Sequence, residues 1–595
     1  MSDLPEDFHA LLRRLDAISL EECPETTPYA SHYRMIEVLQ KLRSTSLPPE
    51  EDAIAAAKLG ATFLTVEEPH NAQPALEEAA NFFFPELVTF TTAITSDDGQ
   101  SEAGKDVPSV LKQLPSVEMK NEHQELVVYV AELLNQLGVL WSNRSRLLRA
   151  LCYLTSSQRL SATYQDHQDD ALAATQTQTH FYLAQVYGGL GLADESATFC
   201  LSTLELQLLQ CVDDAQKGET LRFAGAYEWV RNALKLVEFY LDTDNPRDAA
   251  TCLKASEYML LHHGEKDEED QKLLTAEIYA TWSRLHVTTL RLAGLRREGF
   301  DVDEGDTVLP RPSSMEATLA TLEQTQESFD MTFVPPSSVE SFDHARDVFK
   351  MGLRACTQAR QVFVLDGFVT QHVRLLQRES ALYRRLLPFE DARGRRVAMQ
   401  RRRLALLTPM LGDTLNERAF TDLLQELYFE CAEINADVFE LKEAGDRAMA
   451  YLVKAVQCYQ QFLLLYYPST STDNAAEDPV RVGVLRGGKE VCLPPGDALS
   501  PNEFRTLLLG YFGLAHACGK ISLPSDTAKT VGYWRQSLAY HEAVTELVRK
   551  YETKHHGEQG QELRRSFQSE LQICREMAEL LPEKINQLVY NGKAL

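Results

Sequence analysis

This 595-residue chain is informative first for what it lacks. Alternating strand patterns are nearly absent, so a sheet-built enzyme core is not expected. No apolar run approaches the roughly 18 residues a membrane-spanning helix needs. None of the eleven cysteines forms a C-x-x-C pair. Cys152, Cys200, Cys252 and Cys458 fall inside apolar helical patterns and read as small buried hydrophobes of a reducing compartment. Basic residues are scarce: 59 Lys and Arg stand against 87 Asp and Glu, a net charge of −28. That balance disfavours general binding to nucleic acid or to an anionic membrane surface, both of which need a positive face. It suits a basic partner, or simply a soluble one. The opening MSDLPEDFHA is acidic and has no apolar signal core, so a cytoplasmic location is expected.

What is present is a repeat. Leu134, Leu137, Gly138 and Trp141 spell L-x2-L-G-x2-W, with Ala150 and Leu154 following in the next helix. The frame returns at Leu183, Ala184 and Tyr187 with Ser196 and Cys200, and again at Leu236, Val237 and Tyr240 with Ala249 and Leu253. This is the grammar of tetratricopeptide repeats, antiparallel helix pairs of about 34 residues. Such pairs stack into solenoids whose usual work is to hold another protein.

The fold class expected is therefore all-α, a tetratricopeptide-like α-solenoid in two lobes joined by a long linker helix. Helix pairs are predicted at 30–43 with 50–66, 75–94 with 108–115, 121–141 with 144–164, 172–190 with 193–214, and 225–242 with 246–263. A long helix follows at 268–299. Dense breakers in DVDEGDTVLPRPSS and at Val334–Ser338 interrupt the stack. The expected division is an N-terminal lobe over 1–267, linker helix and tether over 268–340, and a C-terminal lobe over 341–595. In that last lobe, helices are predicted at 339–366, 368–387, 389–407, 416–442, 444–467, 502–520, 526–553 and 559–590. A long loop is expected over 468–501.

Motifs of catalysis are weak. Gly483-x4-Gly488-Lys489 nearly matches a phosphate loop, but Glu490 stands where a magnesium-binding hydroxyl belongs and no strand precedes it. Gly188, Gly189 and Gly191 lie between two helices and read as turn glycines. His262-His263 and His555-His556 are adjacent, so neither pair can clamp a metal from one helix face. An arginine run at 384, 385, 393, 395, 396 and 401–403 either grips an acidic surface or pairs internally. A clamp for acidic C-terminal tails needs lysine and asparagine on successive inner helices. The inner positions read Asn135, Phe181, Gln185, Leu234 and Glu238, with Arg231 the basic residue nearby, so that clamp is incomplete. No catalytic residue, metal ligand or cofactor is expected.

Longer strings carry a more specific signal. Residues 179–208 read THFYLAQVYGGLGLADESATFCLSTLELQL. LGVLWS at 137–142 precedes this string, and EW-x-x-NA at 228–233, LDGFVTQHVRLLQRESALY at 365–383, RRRLALLTPML at 401–411 and LLP at 580–582 follow it in order. In these segments the chain resembles the kinesin-binding protein family from about residue 120 onward. The first 120 residues, the tether and the 468–501 loop match it loosely. The resemblance implies a non-enzymatic inhibitor that covers the microtubule-binding face of kinesin motor domains. Its link to microtubules would be indirect, in the cytoplasm and at the cytoskeleton. It also implies motor contacts at Tyr182, Gln185 and Gln207. Arg231 and Lys235, an i, i+4 pair on the next inner helix, are further candidates; they either meet acidic motor residues or pair with Glu228 and Glu238. An acidic concave groove was expected to mimic the acidic track. The competing reading is a generic scaffold or chaperone adaptor for peptide tails.

Overall fold

The computed structural model describes residues 8–19, 21, 23–24, 27–44, 47–95, 107–120, 126–164, 170–216, 225–263, 268–300, 309–325, 333–336, 338–442, 445–467, 478–495, 499–555 and 558–592. Among them there is no β-strand, and helices take most of the chain. Two compact units form. The first takes residues 1–271 and 304–330, the second 272–303 and 331–595. The segment 268–340 is thus divided between them.

The first unit contains α1 (Phe8–Ser19), α2 (Ala30–Arg43), α3 (Pro49–Thr65), α4 (Pro69–Phe83), α5 (Pro85–Thr95), α6 (Val107–Lys112), α7 (Val127–Asn143) and α8 (Leu147–Thr163). It continues with α9 (Asp170–Gly189), α10 (Ala193–Gln216), α11 (Ala226–Asp242) and α12 (Pro246–His263). Then α13 (Glu268–Arg297) runs into the second unit, and α14 (Ser313–Thr325) returns to the first. The tightest neighbours are α3 with α4, α7 with α8, α9 with α10, and α11 with α12.

Glycine makes the pairing close. A Cβ on Gly138 would lie 2.5 Å from Leu154 Cγ, and one on Gly60 would lie 2.5 Å from Leu76 Cγ. In both pairs the leucine stands sixteen residues after the glycine, so α3 and α4 repeat the contact made by α7 and α8. The expected pairing of 75–94 with 108–115 is therefore replaced. Pro85 ends one helix and starts the next, because proline has no N–H to continue a ladder and fits an opening turn.

Two helices lie where breakers suggested none. In the tether, α14 buries Met315 and Leu319 and packs on α10 and α12. Glu205 Oε1 accepts from the Met315 N–H at 3.0 Å, and Tyr240 donates to the Pro310 carbonyl at 2.7 Å. Residues 301–308 and 326–332 of that stretch lie outside the described residues.

The second unit holds most of α13, with α15 (Phe342–Val362), α16 (Val369–Leu386), α17 (Arg393–Leu407), α18 (Thr421–Leu441), α19 (Asp446–Leu464), α20 (Pro479–Arg486), α21 (Pro501–Lys520), α22 (Thr527–Lys554), α23 (Glu558–Ser566) and α24 (Gln568–Gly592). The Ser500–Glu503 capping box and Pro501 start α21, as their sequence order requires. The expected 468–501 loop contains α20. Asp478 caps that helix, Val484 and Val491 are buried, and Lys550 Nζ donates to the Val491 carbonyl at 2.7 Å. Residues 468–477 and 496–498 lie outside the described residues.

Gly138→Ala should destabilise the chain by about 1–3 kcal/mol through overpacking against Leu154. Gly532→Ala, where an added Cβ meets nothing within 4 Å, should be neutral or stabilise by about 0.5–1 kcal/mol. Urea titrations followed by circular dichroism separate the two.

Candidate functional site

The first unit carries a groove of about 770 Å³ lined by α9, α10 and α11. It opens because α7 packs directly on α9 whereas α9 and α11 do not repeat that close contact. Ala197, Cys200, Leu204 and Gln207 of α10 form its floor. Trp229 Nε1 donates to the Leu204 carbonyl at 3.2 Å and ties α11 to that floor. Ser196 Oγ donates to the Ala184 carbonyl at 2.8 Å and ties α9 to it.

The lining combines apolar surface with side-chain amides. Phe181, Leu204, Trp229, Leu236 and Phe239 supply the first; Gln178, Gln185, Gln207, Gln210 and Asn232 supply the second. Glu228 and Lys235 are the charged residues of the lining. Among the described residues the lining is thus near neutral, where net charge suggested an acidic groove. The chain's excess of acid lies before residue 351, but little of it faces this concavity.

Among the expected contact residues, Gln185, Gln207 and Lys235 come together here. Tyr182 does not line the groove. Its ring packs partly against the core of the first unit, and its hydroxyl accepts from Gln178 Nε2 at 3.1 Å. Three residues along a helix set Tyr182 about 60° from Gln185, so they stand on neighbouring sides of α9, and of the two Gln185 is the one in the lining. Arg231 also lies outside the lining and pairs with Asp270 at 3.5 Å, with both side chains about half exposed. Its partner is neither Glu228 nor Glu238. Such a pair contributes little to stability. Lys235 Nζ donates to Asn232 Oδ1 at 3.4 Å.

Gln178, Gln210 and Asn232 were missed by sequence reasoning. Their signal is the amide recurring along α9, α10 and α11, legible only once those three faces are known to converge. Asn135, read as an inner position, is buried instead. Its Oδ1 accepts from Thr179 Oγ1 at 3.0 Å, so it fastens α7 to α9 and offers nothing to a peptide tail.

The other sequence motifs resolve into structure. Gly483 lies within α20, and Gly487 and Gly488 follow its C-terminus with φ of 67° and 104°. Lys489 pairs with Glu542 at 3.7 Å. A helix C-terminus presents carbonyls and the negative dipole end, the opposite of a phosphate cradle. His262 packs at a tilt against Tyr258, 4.7 Å between ring centres, and His555 against Tyr551 at 4.4 Å. His556 lies outside the described residues, as does the side chain of His263.

About half of the arginine run is engaged within the unit. Buried Arg403 donates to Ser380 at 2.9 Å, to Gln400 at 2.8 Å and to Glu430 at 2.9 Å. Arg395 reaches Glu390 at 3.2 Å, Arg402 reaches the Tyr383 hydroxyl at 3.4 Å, and Arg393 donates to the Leu441 carbonyl. No helix among the described residues is long and apolar enough to cross a membrane.

These features define a class: an all-helical protein of stacked helix pairs with an amide-rimmed groove suited to a protein partner. The family profile described as KIF-1 binding protein C terminal matches residues 227–588. The chain belongs to that family. Its relatives include the KIF-binding protein of Gallus gallus, 25% identical, with 97% of this chain and 96% of that protein covered. The KIF-binding protein of Homo sapiens is 25% identical, with 98% of each covered. That of Dictyostelium discoideum is 21% identical, covering 98% of this chain and 96% of that protein.

Cysteine chemistry gives a direct check on the groove wall. Burial pushes the Cys200 thiol up to about 11, with Lys235 opposing the shift. A thiol with a raised pKa forms thiolate only as pH climbs toward that value, so Cys200 should stay unreactive near neutrality. Exposed Cys492 should be alkylated by iodoacetamide at pH 7.5 well before Cys200, as read by peptide mass spectrometry. Denaturation should erase the difference.

Proposed function

We propose that this chain binds kinesin motor domains in the groove between α9, α10 and α11, and so keeps the motor from its microtubule. The observation that carries the reading is the convergence of Gln185, Gln207 and Lys235 in one groove. Those residues were singled out by resemblance to the family or by helix position, before any geometry was known. The names of the relatives support the kinesin partner. In this reading the helix pairs are tetratricopeptide repeats, and the protein acts in the cytoplasm on transport along microtubules.

Near-neutral lining changes the expected physics. Long-range attraction from the acidic chain speeds encounter with a basic motor face and fades beyond about 8 Å at physiological salt. Affinity then rests on amide hydrogen bonds and aromatic contacts, which reward correct geometry and punish an unpaired group. An adaptor for acidic tails would need several basic residues in the groove, and among the described residues the lining offers Lys235. The function proposed is binding and occlusion, without a chemical step.

The test is co-sedimentation of a panel of kinesin motor domains with microtubules, with and without the purified chain. At least one motor should remain in the supernatant when the chain is present. Gln185→Ala with Gln207→Ala should weaken that motor's binding by about tenfold, or about 1.4 kcal/mol. Tyr182→Phe should change it less than about twofold. Unchanged pelleting of every motor rejects the function; an effect of Tyr182→Phe larger than that of the paired glutamines rejects the groove.

A further inference from the structure

A second concavity, of about 350 Å³, lies in the second unit where α23 turns into α24. Its lining is Gln561, Arg564, Arg565, Gln568, Leu571 and Arg575. Three guanidiniums and two amides share one small space, and no carboxylate lines it among the described residues. Arg564 reaches Glu552 at 3.5 Å. Among the described residues, Arg565 and Arg575 have no acidic partner. Of the nearby carboxylates, Glu570 accepts from Ser569 Oγ at 2.6 Å and Glu576 from Gln572 Nε2 at 3.1 Å, and Glu562 and Glu579 make no ion pair with Arg565 or Arg575 among the described residues.

The contrast with the 393–403 run is instructive. There, most guanidiniums find a carboxylate, carbonyl or hydroxyl of the same unit. Here Arg565 and Arg575 stand in a concavity with no ion pair of their own among the described residues. From residue 351 onward acids and bases nearly balance, so the background field around this pocket is weak despite the chain's net charge. Guanidinium forks match tetrahedral oxyanions in two parallel hydrogen bonds, and a dianion suits a cluster of them best. Gln561 and Gln568 each offer both a donor and an acceptor, as a peptide backbone requires, and Leu571 supplies an apolar wall that a free phosphate ion would not use.

We propose that this α23–α24 pocket binds a phosphorylated serine or threonine side chain of an acidic peptide segment. The phosphate sits against Arg565 and Arg575, and the glutamines hold the peptide backbone on either side. This site is separate from the α9–α11 groove and does not depend on the kinesin reading.

Calorimetric titration of the full chain tests it with three probes: a glutamate-flanked phosphoserine tetrapeptide, the same peptide unphosphorylated, and inorganic phosphate. The phosphopeptide should bind saturably and roughly tenfold or more tighter than either control. Arg565→Gln with Arg575→Gln should weaken it roughly tenfold or more. The circular dichroism spectrum and melting temperature should be unchanged, since both side chains are exposed. Absence of saturation, or undiminished binding by the folded double variant, overturns the site. Equal affinity for inorganic phosphate overturns the peptide assignment. Equal affinity for the unphosphorylated peptide overturns the need for phosphate.

Discussion

Each helix pair of this chain presents more apolar surface than its own two helices can cover, and the next pair must cover the rest. In the first unit this requirement is met from Phe8 to Tyr187 by one continuous buried cluster, in which α3–α4, α7–α8 and α9 contribute successive layers. Helix spacing within a pair is set by side-chain size. Gly60 and Gly138 let a leucine from the partner helix seat against bare backbone, so the two axes approach as closely as the fold allows. Between α9 and α11 the close side-by-side contact lapses, and surface that stacking would have buried becomes the wall of a groove. The candidate site is therefore a local relaxation of the rule that builds the rest of the unit.

Charge plays two roles that composition alone merges. The acid excess in the first part of the sequence shapes the long-range field, while the groove itself is nearly neutral and reads its partner by hydrogen bonding and shape. Arginine likewise divides. Arg403 is buried among Ser380, Gln400 and Glu430 and serves the packing of α16, α17 and α18. Arg565 and Arg575 have no acidic partner among the described residues. Spacing along the chain does not distinguish these fates; the positions of carboxylates on neighbouring helices do.

Much of the fold could be read from pattern. The recurring Leu, Gly and aromatic positions locate α7 to α12, since a repeat samples the same packing problem three times and leaves the same answer. The α3–α4 pair was misjudged because Pro85 splits a continuous apolar run, and periodicity does not see that interruption. Both α14 and α20 escaped notice among prolines, aspartates and serines; each is short and held by contacts to distant residues, such as Glu205 with Met315 and Tyr540 with the Leu485 carbonyl. Of the candidate contact residues, Gln185, Gln207 and Lys235 share the groove lining, whereas Tyr182 and Arg231 stand outside it. Sequence fixes a residue's angle on its helix but not which angle a missing neighbour leaves open.

Hydrogen–deuterium exchange on the full chain, with and without a bound kinesin motor domain, tests the central claim most directly. The account predicts slowed exchange concentrated in α9, α10 and α11, around residues 177–207 and 228–239. Protection confined to other helices, with these three unchanged, would contradict it.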